Sequence, residues 1–129
     1  MKQISVFLER KKGRLKEITQ SLAKEGVNIK AITLVESSEF GILRMLTEDI
    51  AKACEAIEKN GFSLTLSDIL VVEVDDEIGA FNKIVSVLSE NDIDINYCYT
   101  VNSDKKGAFA FKVSDLNRAK NLLKGFRVY

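Results

Sequence analysis

The sequence predicts an α+β chain of two ferredoxin-like βαββαβ units in tandem, over 1–66 and 67–129, and three observations lead there. Sliding the chain by 66 positions brings its halves into register without a gap, so that Val6 falls on Val72, Gly13 on Gly79, Ile18 on Ile84, Leu22 on Leu88, Gly41 on Gly107 and Asp49 on Asp115. One constant offset serves every element, which chance agreement between two α/β segments does not explain. Each half also opens with an apolar, β-branched run too short for a helix, and each then carries two stretches with apolar residues at helical spacing.

Taken in order, ISVFL at 4–8 and ILVVEV at 69–74 are the opening buried strands, and Gly13 and Gly79 mark the turns after them. Leu15, Ile18 and Leu22, and in the second half Phe81, Ile84, Val85 and Leu88, each lie on one side of a helix. Gly26 is a natural helix stop. Strands follow near 29–36 and 40–47 and again near 95–102 and 108–113, joined as hairpins by the polar stretches SSE and SDKK. Asp49 and Asp115 suit N-caps of second helices whose inward stripes are Ile50, Ala53, Cys54 and Ile57, and Leu116, Ala119, Leu122 and Leu123. FSLTL at 62–66 closes the first unit and FRVY at 126–129 the second. Right-handed crossovers fold this order into an antiparallel sheet with both helices on one face. With only Ser67 and Asp68 as a linker, the two sheets are expected to pack side by side as one rigid block.

Composition narrows the function. The 129 residues balance 19 basic against 19 acidic side chains, which leaves no electrostatic footprint for nucleic acid. No histidine occurs, and Cys54 and Cys98 are far apart, so neither a thiolate zinc site nor a Cys/His nucleophile can be assembled within one chain. No apolar run suits a signal peptide or a membrane span, and a cytoplasmic location with reduced thiols is expected.

Three stretches resemble a known family. ISVFLERKKGRLKEITQSLAKEGVNIKAI is similar to the strand, Asp/Asn-x-Pro-Gly turn, helix and G-(I/V)-N-I sequence of ACT domains; SSEFGILRM resembles the third-strand hairpin of stand-alone ACT pairs; ILVVEVDDEIGAFNKIVSVLSENDIDINYCY repeats the first pattern. The turn proline is replaced by Lys12 and by Ile78, Arg10 stands at the acidic or amide position of the first turn while Asp76 keeps it in the second, and the small polar residue before the second strand is Asn28 or Asp94.

The resemblance implies a tandem ACT protein, non-catalytic and without cofactor, that binds a free amino acid at the seam between two units through turn and second-strand groups. In the first unit the expected ligand-binding residues are Arg10, Lys12, Gly13, Arg14, Leu15 and Asn28, with Ser38 and Phe40 of the hairpin loop as weaker candidates. In the second they are Asp76, Ile78, Gly79, Ala80, Asn96 and Tyr97. The physics agrees with such a site: the turns end at helix N-termini, where free N–H groups and the dipole favour a carboxylate, glycine allows close approach, and Asn28 can donate and accept at once.

Charge separates the two turns, with Arg10, Lys11, Lys12 and Arg14 crowding the first and Asp75, Asp76 and Glu77 the second. This reads either as a complementary seam or as solvated turn residues of little energetic consequence. Tyr97 and Tyr99 alternate with Asn96, Cys98 and Thr100 and so share the face of Ile95 and Val101, where inward packing is their default role and a hydroxyl could still reach a ligand.

Competing readings start from the same topology. An RNA-recognition module shares the βαββαβ order, and Lys106 to Val113 echoes its aromatic third strand. Parity argues against it, because the stacking positions one and three places after the glycine are Ala108 and Ala110, while Phe109 and Phe111 fall on the opposite, core face. A small carboxylate enzyme built on Asp75, Asp76 and Glu77 is the other alternative, weakened because adjacent turn acids are usually solvated. The expected partners are a small-molecule ligand, a second copy of the chain paired through an exposed edge strand, and a separate regulated enzyme; neither nucleic acid nor membrane is expected.

Overall fold

A computed structural model describes residues 1–36, 39–104 and 106–129. Two compact units emerge, Lys2–Ser67 and Met1 with Asp68–Tyr129. The first is built from β1 (Lys2–Glu9), α1 (Arg14–Lys24), β2 (Ile29–Glu36), β3 (Phe40–Thr47), α2 (Ile50–Lys59) and β4 (Leu64–Asp68). The second repeats the order with β5 (Leu70–Val74), α3 (Ala80–Glu90), β6 (Ile95–Thr100), β7 (Gly107–Val113), α4 (Leu116–Leu122) and β8 (Arg127–Val128). Each unit holds one four-stranded sheet, β2-β3-β1-β4 in the first and β6-β7-β5-β8 in the second. The pairs β1/β3, β2/β3, β5/β7, β6/β7 and β5/β8 are antiparallel.

Alternation along the strands decides which face is buried under the helices. Ile4, Val6 and Leu8 of β1 and Leu43 and Met45 of β3 meet Ile18 and Leu22 of α1 and Ala53, Ala56 and Ile57 of α2 in one core. In the second unit Leu70, Val72, Phe111 and Val113 meet Ile84, Leu88, Ala119 and Leu123. Cys54 packs at the margin of the first core, where burial, followed by the nearby Glu58 carboxylate, pushes its thiol pKa up. Two residues of the expected inward stripes depart from them: Leu15 in the first turn of α1 and its counterpart Phe81 in the first turn of α3 are each 39% exposed.

Helix ends follow their local chemistry. Asp49 and Asp115 accept hydrogen bonds from the backbone N–H groups of Lys52 and Arg118, both at 3.1 Å, and so cap α2 and α4. At the end of α1, Gly26 takes φ +71° and two backbone bonds close the chain, Val27 N–H to the Leu22 carbonyl at 3.0 Å and Gly26 N–H to that of Ala23 at 3.1 Å. This is the Schellman arrangement, and it recurs after α2 at Gly61 and after α3 at Asp92.

Both second strands carry a register shift that simple alternation does not foresee. In β6, Ile95 pairs with Val113 but Tyr97 pairs with Lys112. Neighbouring residues of β7 point to opposite faces, so the bulge moves Tyr97 and Tyr99 off the face of Ile95 and onto that of Lys112 and Ala110. The expectation that both tyrosines share the helix-covered face with Ile95 is therefore corrected. They are half-buried, with their rings stacked at a centroid separation of 6.4 Å.

Candidate functional site

The chain leaves β1 at Glu9, turns through Arg10 to Gly13 and starts α1 at Arg14. Lys11 N–H bonds back to the Glu9 carbonyl at 2.8 Å, and Gly13 then takes φ +87° and ψ −6°, a left-handed conformation that L side chains rarely adopt. Nothing lies within 4 Å of where a Cβ on Gly13 would sit, so the glycine is demanded by the backbone angle rather than by a close neighbour. The turn after β5 is almost superposable in its angles, with Gly79 at φ +86° and ψ −2°. At neither helix start does the N-cap residue offer a side-chain hydrogen bond, so the first-turn N–H groups carry the positive end of the dipole without a built-in cap.

Beside the first bend lies a cavity of about 290 Å³, near the small end of ligand-site volumes. Its wall joins Arg10, Lys11, Lys12, Arg14 and Leu15 to Leu8, Glu9, Leu34, Glu36 and Gly41. The two acids are already engaged: Glu36 lies 3.7 Å from Arg10, and Glu9 lies 3.6 Å from Arg14, which also binds Glu17 at 3.0 Å. No ion pair is formed by Lys11 or Lys12 among the described residues.

The second bend has the same backbone and the opposite charge. A cavity of about 360 Å³ is lined there by Asp75, Asp76, Glu77, Gly79, Ala80, Phe81, Asn82, Gly107 and Phe109. Asp75 accepts from the Lys106 ammonium at 2.8 Å, and Glu77 from Lys83 at 3.1 Å. The hydrogen bond and charge of Lys106 hold the Asp75 carboxyl below its ordinary pKa, and Asp75 in turn raises that of Lys106. Phe81 stacks on Phe111 and meets Phe109 edge-on, at centroid distances of 5.8 and 4.9 Å, which makes this cavity's floor aromatic.

Of the residues expected from sequence, Arg10, Lys12, Arg14 and Leu15 converge on the first cavity, whose lining leaves out Gly13 itself, and Asp76, Gly79 and Ala80 on the second. Asn28 stands apart within its unit. It precedes β2 at the end away from the bend, about 25 Å along the strand from Glu36, and donates to Glu48 at 3.3 Å. Phe40 is 45% exposed opposite Glu9 and is not among the lining residues. Ile78 is fully exposed, Asn96 is exposed on β6, and Tyr97 follows the bulge described above. Ser38 lies outside the described residues.

Sequence reasoning missed Leu8, Glu9, Leu34, Glu36 and Gly41 as parts of this wall. The sheet register brings them together, since Glu36 pairs with Gly41 and Glu9 with Phe40. A signal existed in the matched glycines Gly41 and Gly107: a Cβ on Gly41 would stand 3.1 Å from Leu34 Cδ1 in the cavity wall. Among the described residues no group of three metal-ligating side chains converges, and no helix is long and apolar enough to cross a membrane.

Comparison with known proteins agrees with this architecture. A Bacteroides thetaiotaomicron protein of known structure is 32% identical over 99% of this chain and 90% of its own, with a TM-score of 0.91. The ligand-free regulatory subunit of aspartate kinase from Thermus thermophilus has a TM-score of 0.71 at 18% identity, over 96% of this chain and 91% of its own. The regulatory subunit from Thermus flavus has one of 0.65 at 18% identity, over 96% and 90%. No curated protein sequence matches. The family model described as the ACT domain pair matches residues 1–126, and the chain belongs to that family of regulatory modules.

Proposed function

We propose that the chain is a non-catalytic cytoplasmic sensor, which binds a free amino acid in the cavity beside the Gly13 bend and regulates a separate enzyme through a homodimer. The observation that carries the reading is a small electropositive cavity at an uncapped helix start, in a chain of a regulatory family. A carboxylate placed there meets first-turn N–H groups and cationic side chains together, which makes charge-assisted hydrogen bonds available to it. Glu9 and Glu36 each pair with one arginine and keep further lone pairs as acceptors for an ammonium. The aspartate kinase regulatory subunits share this fold as separate chains, which supports an output delivered to another protein.

The alternatives lose ground on particular contacts. Phe111 is buried and Phe109 packs against the same core, so the aromatics of the third strand are not free to stack on bases, and the stacking positions hold Ala108 and Ala110. Asp75 and Glu77 are held by Lys106 and Lys83 in exposed ion pairs, and the lowered Asp75 pKa is the reverse of what a general acid at neutral pH needs.

A thermal-unfolding screen against the twenty amino acids tests the reading. A ligand at about a hundred times its dissociation constant adds roughly 2.7 kcal/mol. In a chain of this size that moves the midpoint by about 8–13 °C. No shift with any of the twenty at millimolar concentration refutes amino-acid sensing.

A further inference from the structure

The repeat supplies an internal control. Two bends of matching backbone geometry carry opposite charge: where the first has Glu9, Arg10, Lys11 and Arg14, the second has Asp75, Asp76, Glu77 and Ala80. In the second cavity every side chain charged at the bend is acidic, and the cations lining the adjoining cavity of about 300 Å³, Lys83, Lys106 and Arg127, are each paired, with Glu77, Asp75 and Glu73. In the first, four cations face two carboxylates, and those two are paired with Arg10 and Arg14. Lys11 and Lys12 are left, both exposed and both without an ion-pair partner among the described residues.

We infer that the first bend is selective for an amino acid with an anionic side chain, one molecule per chain, and that the second bend rejects it; this rests on the amino-acid-sensing reading above. One carboxylate of a zwitterion is met by the first-turn N–H groups at the helix start, with Arg14 already held by Glu9 and Glu17. The two spare ammonium groups at Lys11 and Lys12 then have nothing to neutralise unless the ligand brings a second carboxylate. The volume of about 290 Å³ restricts the ligand to a small metabolite. A neutral amide of the same shape would leave both ammonium groups unmatched, while the acidic second bend repels a dianion.

Isothermal titration of the full chain with L-glutamate, L-aspartate, L-glutamine and L-asparagine, with inorganic phosphate as a control, decides the matter. Expected is binding of one acidic amino acid per chain, at least about tenfold tighter than its amide and weakened by added KCl. The double variant Lys11→Gln/Lys12→Gln changes only exposed side chains, so it should keep its unfolding midpoint and bind the acid about ten- to a hundredfold more weakly. If a neutral amino acid binds as tightly as glutamate or aspartate, or if the double variant binds the acid unchanged, the anionic selectivity is overturned and the sensing role stands. Phosphate binding as tight as the acid's reduces the bend to a general anion patch and also overturns the selectivity. If none of the twenty amino acids binds, the sensing role fails and the selectivity with it.

Discussion

Asp92 has φ +56°, the one positive φ at a non-glycine position among the described residues. It stands where the first unit has Gly26, and it closes α3 with the same pair of backbone bonds, Ile93 N–H to the Leu88 carbonyl at 3.0 Å and Asp92 N–H to that of Ser89 at 3.2 Å. The geometry of a helix end is thus retained where glycine is not, and the second unit carries the strain of a Cβ in the left-handed region. Asp92→Gly should relieve it, raising stability by about 0.5–1 kcal/mol and the midpoint by about 2–5 °C in a calorimetric scan. A lowered midpoint would mean that the Asp92 side chain stabilises the fold in some other way. Single residues were legible from sequence where one residue type answers one backbone demand, as with Gly13, Gly26 and Asp49. Asn28 was not, because its chemistry suits a ligand equally well whichever end of the sheet it occupies, and only the path of β2 places it away from the bend of its own unit.

At the level of elements, the caps at Asp49 and Asp115 are matched by position and by geometry, each accepting at 3.1 Å from the N–H three residues on. Replacing either by alanine should cost about 1 kcal/mol in urea unfolding, and asparagine, which also accepts, should restore most of it. An equal loss with asparagine would trace the effect to charge and the helix dipole instead of the hydrogen bond. The strands at 29–36 and 40–47 were readable to the residue because both faces are constrained by apolar periodicity and both ends by polar turns. The bulges in β2 and β6 were not, since a register shift leaves the run of residue types intact and changes only which face each one meets. That is why Tyr97 was assigned the wrong face while Phe109 and Phe111, on the unbulged β7, were assigned the right one.

For the molecule as a whole, the proposed sensing role needs a path from a bound ligand to a second copy of the chain, and β2 offers one. It is the outer strand of its sheet, with Ile32, Leu34 and Val35 each 44–48% exposed. Its sequence, IKAITLVE, is self-complementary in an antiparallel register centred on Thr33: Lys30 meets Glu36 at both ends, Ala31 meets Val35, and Ile32 meets Leu34 on either side of the centre. A second copy paired there would satisfy the open edge and place opposite charges together. Thr33→Lys sets two ammonium groups directly opposite each other in the proposed dimer and should shift it toward monomer in sedimentation velocity, without lowering the unfolding midpoint at dilute concentration. Thr33→Val should preserve association, and a Thr33→Lys chain that dimerises as tightly as the parent would exclude this register. Leu34 and Glu36 belong both to this strand and to the wall of the first cavity. In the proposed function, ligand and partner would act on one element, and thermodynamic reciprocity then requires that any factor by which the ligand tightens the dimer equals the factor by which dimerisation tightens the ligand. Titrating the acidic amino acid against the parent and against Thr33→Lys measures that factor directly: weaker binding to the monomeric variant, whose cavity residues are untouched, shows that the strand carries the signal, and equal binding shows that it does not.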